Sequence, residues 1–466
     1  MENLSTTSRN LQIFVLGGSM LVGSLGISLV TVALPALARA FAAPMQSVQW
    51  VIIAYLVAVT ASIVAVGRLG DLFGHARVLI LGLSLFSVSS LACAAAPSLS
   101  LLVAARTLQG LGGAVLMALP MSIIRSVVTK ERTGSAMGLL GTTSAVGTAL
   151  GPSLGGMTIN HFGWAAGFIA VGLLALMLLT LAVVTFASQI RASKPTGGSI
   201  DWLGSMLLAL ALSAYAVSMT SAGHGAKAWV LLPITALLTA LFVWRQTKTT
   251  SPLVPLALLR NSRIGISVTM NLLITTVMMS TLVVGPYFLS LGLGLDDATV
   301  GLVMAVGPLT SALAGLPAGR LADRYGAGRM LAVGLLQIAL GLVALATLPA
   351  WIGLWGYCLA LVLLTPGFQI FLAANNTVTM EGAATDQRGV ISGLLGLSRN
   401  LGFITGASAM SALFAANLGH VDIGMADPAS IAAAFTRTFL IATALPLSAL
   451  IAGGMRQRAE GLLRKG

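Results

Sequence analysis

Runs of about twenty apolar residues, separated by short polar and breaker clusters, recur along the whole of this 466-residue chain. A helix needs about that length to cross roughly 30 Å of hydrocarbon, where every backbone polar group must be satisfied internally. The runs therefore predict an all-α bundle of membrane-spanning helices. Composition agrees: 57% of residues are hydrophobic, 8% are charged and the mean hydropathy is +0.97, whereas soluble domains carry about a quarter charged residues.

Hydropathy read against breakers and charges places fourteen spans, at 12–38, 48–67, 77–96, 99–123, 134–159, 164–187, 202–221, 228–244, 264–292, 298–318, 330–349, 352–374, 389–416 and 431–455. The first run is longer than the 7–15 residues of a signal-peptide core, so it is expected to stay in the protein as a span. A net charge of +13 could point to nucleic acid. That reading needs a contiguous basic face, and here Lys and Arg lie singly between apolar runs, so no nucleic-acid partner is expected.

Topology accounts for the charge better. With the N-terminus inside, basic residues fall on the cytoplasmic side except Arg39, Lys227 and Arg437 at the other surface and Arg106 and Arg399 within spans. Both termini are then cytoplasmic, in a multi-pass protein of the plasma membrane, the inner membrane in a bacterium. Cys93 and Cys358 sit inside apolar runs and read as packing residues, and His75, His161, His224 and His420 are too dispersed for a metal site. No phosphate-binding G-x-x-x-x-G-K-[ST] loop and no nucleophile motif occurs, so neither direct use of ATP, nor a cofactor, nor an enzyme is expected.

One element occurs twice. Gly67-Arg68-Leu-Gly-Asp71-Leu-Phe-Gly74-His-Ala-Arg77 matches Gly319-Arg320-Leu-Ala-Asp323-Arg-Tyr-Gly326-Ala-Gly-Arg329 without a gap. The copies follow spans 2 and 10, so spans 1–6 and 9–14 are equivalent halves and spans 7 and 8 an insertion. The expected division is 1–193, 194–250 and 251–466. Duplicated halves with a site near the midplane between them are an established carrier plan. The glycines suit tight turns between helices, and Asp71 and Asp323 can accept from a helix N-terminus or pair with a nearby arginine, making a breakable latch.

These residues resemble the major facilitator superfamily, and the span count resembles its 14-span drug:proton antiporter branch. The same resemblance is carried by Arg106-Thr-Leu-Gln109-Gly110 in span 4 and by Gly147-Thr-Ala-Leu-Gly151-Pro152-Ser-Leu-Gly155-Gly156 in span 5. Asp201-Trp202-Leu-Gly204 and Ser392-Gly-Leu-Leu-Gly-Leu-Ser-Arg399-Asn400-Leu-Gly402 add to it. The family implies alternating access, with the loop elements as gates, Arg106 tied to proton movement, and the span 5 pattern a mark of antiporters. It also implies multidrug efflux and antibiotic resistance as the setting.

Residue chemistry adds detail. Arg106, Gln109, Gly110 and Gly113 share one helix face, and an intramembrane arginine normally faces a wet cavity or a partner. The five glycines of span 5 permit close helix approach. Span 1 departs from the branch: Leu25-Gly26-Ile-Ser28-Leu-Val-Thr31-Val-Ala-Leu-Pro35 has Gly26 where such exporters carry an acid. All twelve Asp and Glu fall in loops or span ends. Proton coupling must then use another group, with Asp71, His161, Glu381, Arg106 and Gln109 as candidates, and neutral or anionic amphiphiles are favoured over cations.

Substrate-contact candidates are Thr31, Tyr55, Gln109, Asn271, Gln369, Asn375, Asn376, Arg399 and Asn400, with Met278 and Phe288 as adaptable apolar walls. The expected partners are a small amphipathic molecule, protons and the lipid bilayer, and the expected state is a monomer. Two other readings stand beside export. One is uptake or facilitated diffusion of an anionic metabolite; the other is a non-transporting membrane receptor, which the short tail at 456–466 disfavours.

Overall fold

A computed structural model describes residues 6–128, 133–192, 201–220, 226–249, 252–253, 256–259, 262–380, 388–419 and 425–463. The side chains of a few residues inside these stretches, Arg68 and Asp71 among them, are not described. Eighteen α-helices follow one another, with no strand among the described residues. They are α1 (Thr6–Ala40), α2 (Met45–Val48), α3 (Trp50–Phe73), α4 (His75–Ala94), α5 (Leu99–Val127), α6 (Thr133–Phe162), α7 (Trp164–Thr185), α8 (Ala187–Ala192) and α9 (Trp202–Thr220). The remainder are α10 (Ala226–Lys248), α11 (Leu256–Leu259), α12 (Ser262–Tyr287), α13 (Asp297–Tyr325), α14 (Ala327–Met380), α15 (Arg388–Thr405), α16 (Ser411–Asn417), α17 (Pro428–Ala442) and α18 (Ala444–Leu463).

The boundaries have local causes. Ser98 accepts from the Leu101 amide to start α5, Asp296 from Ala298 and Thr299 to start α13, and Asp427 from Ser430 to start α17 with Pro428 following it. Gly74 and Gly326, at φ 94° and 86°, end α3 and α13 in a backbone region that favours glycine. Two of the four motif glycines are thus turn residues. Gly67 and Gly319 are not: they lie inside α3 and α13 with open space where a side chain would go, which corrects the expectation that all four serve tight turns.

Among the described residues, ten stretches are long and apolar enough to cross a membrane, so the expected count of fourteen is not reached on that measure. One of the ten is α14, whose 54 residues would run about 80 Å if straight. Non-helical Ile352 and Gly353 break it, close to the expected start of span 12. The helices covering 134–159, 228–244 and 389–416 form where expected but are not among the ten. The glycines of the first and the glycines and Arg399 of the last dilute the apolar character that the measure needs. Expected span 14 is two helices joined at Thr443.

Short π-helical turns, Phe288–Gly292 and Gly406–Met410, follow α12 and α15. The outer surface carries bare apolar side chains such as Val184, Leu313 and Leu340, as a bilayer-embedded surface does. Helix α9 packs along α10, α3 and the π turn after α15. Its Tyr215 hydroxyl donates to Thr405 Oγ1 at 3.1 Å. Asp201, buried at the start of α9, accepts from Gly204 N, Arg245 Nε and Gln246 Nε2 at 3.0–3.2 Å, clipping α9 and α10 together.

Candidate functional site

Four helices enclose the cavity that the fold builds between its two motif-bearing parts. α6 contributes Ser144 and Thr148, α12 Met278 and Thr281, α13 Met304 and Ser311, and α14 Tyr357, Thr365, Phe368 and Gln369. Its volume is about 230 Å³, and no charged residue lines it. The walls mix thioethers and aromatic rings with hydroxyls and one amide, the combination expected of a small-molecule pocket.

Several polar atoms of the walls are already oriented. Thr281 and Thr148 donate to backbone carbonyls of Met278 and Ser144, and Gln369 Nε2 donates to Ser311 Oγ. The Tyr357 hydroxyl points at Met304 Sδ, 3.5 Å away, in the space that Gly285 leaves open. Behind it, Phe288 stacks on Phe435 with ring centroids 4.1 Å apart. Tyr357 is therefore held by an aromatic cluster while still lining the cavity.

At the end of α13 away from its loop element, α1, α6 and α13 meet. Arg39 Nη2, at the end of α1, donates to both carboxylate oxygens of Asp297 at 2.9 Å, and its Nη1 reaches Ser290 Oγ at 3.4 Å. Beside it α6 and α13 touch backbone to backbone. A Cβ on Gly156 would lie 2.7 Å from Gly301 Cα, and one on Gly301 2.5 Å from the Pro152 carbonyl. Gly147, Gly151 and Gly155 give α1 the same close approach. The neighbouring Asp296 carboxyl is held below the usual carboxylate range, first by the Thr299 hydroxyl and then by the Thr299 and Ala298 amides.

Arg106 belongs to a different environment. It is fully buried, with Nε donating to Val51 O at 2.8 Å, Nη1 to Gln109 Oε1, and the guanidinium 4.2 Å above the Tyr55 ring. Gln109 Nε2 continues the chain to Ser90 Oγ at 2.6 Å, and Tyr55 Oη donates to Gly23 O at 3.1 Å. The shared face predicted for Arg106, Gln109, Gly110 and Gly113 is present and packs on α3 at Tyr55. Of the two surroundings expected for an intramembrane arginine, a wet cavity or a partner, Arg106 has the second, although its Nη2 is buried without a hydrogen-bond partner. A Cβ on Gly26 would meet Phe86 Cζ at 3.0 Å and Tyr55 Oη at 3.2 Å, so aromatic groups fill the place where an acid would stand.

Of the expected substrate contacts, Met278 and Gln369 line the cavity. Thr31 donates to Ser28 O, Asn271 to Leu395 O and Ser398 Oγ, and Asn375 to Ser267 O. With Tyr55, Gln109, Phe288 and Asn400 they are buried in helix packing. Asn376 and Arg399 keep exposed side chains. His161 is exposed near the end of α6, and Glu381 lies outside the described residues. Arg77 bonds Ile190 O at 2.7 and 3.0 Å, tying α4 to α8; Arg320, Asp323 and Arg329 are exposed.

Sequence reasoning missed Tyr357, Met304, Ser311, Thr365 and the Arg39–Asp297 pair. The small residue at Gly285 was the one available pointer to Tyr357.

A helical bundle around an uncharged cavity is what carriers of one large family build, and that family's sequence pattern, described as Major Facilitator Superfamily, matches residues 16–407. The chain belongs to the major facilitator superfamily. This superfamily member is 30% identical to a tetracenomycin C resistance and export protein of Streptomyces glaucescens, over 87% of this chain and 75% of that one. It is 28% identical to the riboflavin transporter RibZ of Clostridioides difficile, over 84% and 85%. A solved bacterial homologue of the human lysosomal transporter Spinster, inward-facing and unoccupied, shares the superfamily fold with TM-score 0.71 and 14% identity, covering 98% of each chain. The protein is thus a multi-pass membrane transporter.

Proposed function

We propose that this transporter exports small amphipathic compounds by alternating access, in exchange for protons. The observation that carries the reading is the uncharged, methionine- and aromatic-lined cavity, with one ion pair and one glycine contact as a seal where α1, α6 and α13 meet. Such a wall accepts varied apolar bodies by repacking, and such a seal can open without breaking a large core. The similarity to an antibiotic resistance and export protein supports the direction.

In this reading the loop-element face is cytoplasmic, so the cavity is closed to the outside. Parts 1–193 and 251–466 rock about the cavity, with 194–250 packed against both as the insertion. Met278 and Gln369 contact substrate. The loop elements, with Asp71 and the Arg77–Ile190 tie, gate the cytoplasmic side. One chain is the working unit.

The RibZ similarity favours a second reading, movement of an aromatic metabolite without export. Everted vesicles holding the protein, given cationic, neutral and anionic aromatic compounds with and without a pH gradient, separate the two. Gradient-dependent accumulation inside the vesicles supports export. Equilibration that ignores the gradient supports facilitated passage and overturns proton exchange.

A further inference from the structure

We propose that Arg399 recognises the negative charge of the transported compound, so that the preferred substrates are amphiphiles bearing a carboxylate or another single anionic group on an aromatic or apolar body. This rests on the export reading above and names its substrate class, with Arg399 standing apart from the cavity's lining residues. Arg399 lies eleven residues into α15, about 17 Å from the helix start. Because α15, its π turn and α16 run on to Asn417, that depth is near the middle of the crossing. At that depth its side chain is exposed. An exposed guanidinium there is tolerated where it faces a water-filled space inside the bundle. A lipid-facing arginine at this depth would cost about 2.5–3.5 kcal/mol or more.

The position is rigid. Asn271 Nδ2 on α12 donates to Leu395 O at 2.9 Å and Ser398 Oγ at 2.8 Å, pinning the turn before Arg399. Gly402, one turn later, sits on Leu272 and Thr275. The same α12 carries Met278 and Thr281 of the cavity wall. Among the described residues Arg399 has no countercharge. Among the described carboxylates, Asp201 pairs with Arg245, Asp297 with Arg39, Asp296 and Asp427 cap helices, and Asp323 stands exposed near the end of α13. Gly26 supplies no acid from α1, and Arg106 is held by Val51, Gln109 and Tyr55. A positioned guanidinium in a solvated, uncharged interior binds carboxylates through charge-assisted, two-pronged hydrogen bonds.

The test uses three probes with one body: 2-naphthoate, 2-naphthamide and 2-naphthylmethylamine. Binding is measured by equilibrium dialysis on the full-length protein in phosphatidylcholine vesicles, and everted-vesicle uptake is followed in parallel. Naphthoate is expected to bind at least tenfold more tightly than the amide, with the amine weakest. Arg399→Gln should remove that preference by weakening naphthoate binding to the level of the amide, and Arg399→Lys should retain most of it.

Amine or amide binding as tight as naphthoate, no naphthoate binding, or an undiminished preference in Arg399→Gln each overturns the proposal. Repeating the dialysis with phosphatidylglycerol added separates the sources of the anion. Unchanged naphthoate binding supports a free anionic substrate, and displacement by the lipid assigns Arg399 to a headgroup and overturns the substrate role. Arg399-dependent binding without uptake leaves the recognition standing and removes export. Uptake that prefers the amine does the reverse.

Discussion

Arg106 and Arg399 are both arginines inside membrane-crossing helices, and the fold treats them in opposite ways. Arg106 has no exposed surface and is fastened to a backbone carbonyl, a glutamine and an aromatic face. Arg399 remains exposed within the bundle, with its neighbours bonded and its own head free of any acid among the described residues. The difference teaches that intramembrane charge alone does not mark a substrate contact. A buried guanidinium tied to a backbone carbonyl, a glutamine and an aromatic face holds helices together, even with its Nη2 left without a partner; one left solvated can exchange water for a ligand.

The largest effect should come from breaking the first arrangement. Arg106→Ala removes the ties to Val51 O and Gln109 Oε1 and leaves a void, and about 3–5 kcal/mol of stability should be lost. A thermal-denaturation series on purified protein should show a drop of several degrees. Arg399→Ala in the same series should stay within about 0.5 kcal/mol of the parent, as for an exposed substitution. Equal losses at both positions would erase the distinction.

Next in size is the seal proposed where α1, α6 and α13 meet. Gly156→Leu places a side chain into the Gly301 backbone, 2.7 Å from its Cα already at Cβ, with a cost of about 1–3 kcal/mol for overpacking. Alkylation of a cysteine introduced at Ser311 should become faster from the far side of the vesicle membrane. Unchanged labelling would mean that the glycine contact does not hold the face closed.

Gly26→Asp sharpens the comparison by offering Arg106 the acid it lacks. Phe86 must shift by a few tenths of an ångström to admit the Cβ. Transport is then expected to change about tenfold between pH 6 and 8 relative to the parent, because burial against Phe86 raises the new carboxyl further than the Arg106 guanidinium lowers it. A pH profile identical to the parent would show that Arg106 is closed to new partners.

Arg39 supplies the smallest effect, being an arginine in a half-exposed surface pair. Arg39→Ala should open the far face by about 0.2–1 kcal/mol, a change of up to roughly fivefold in the same alkylation rate. High salt should mimic it in the parent protein.

Legibility followed the range of the interactions. Gly74 and Gly326 announced turns, and the Arg106 face was visible from i, i+3, i+4 spacing, because both depend on neighbours in sequence. Gly67 and Gly319 misled, since an identical motif letter can sit inside a helix where nothing presses on it. The small-residue pattern of 147–156 was readable as a packing surface, but its division between α1 and α13 was not.

By itself the sequence determined the all-helical membrane fold, the duplicated loop element and the lack of acids within the spans, because hydrocarbon thickness and the absence of water dictate these locally. Tertiary structure alone decided which polar groups face the cavity and which bond to one another. The Arg39–Asp297 seal joins positions 258 residues apart, and no periodicity encodes such a meeting. Arg106 and Arg399 look alike in one dimension; only the packing around them makes one a fastener and leaves the other available.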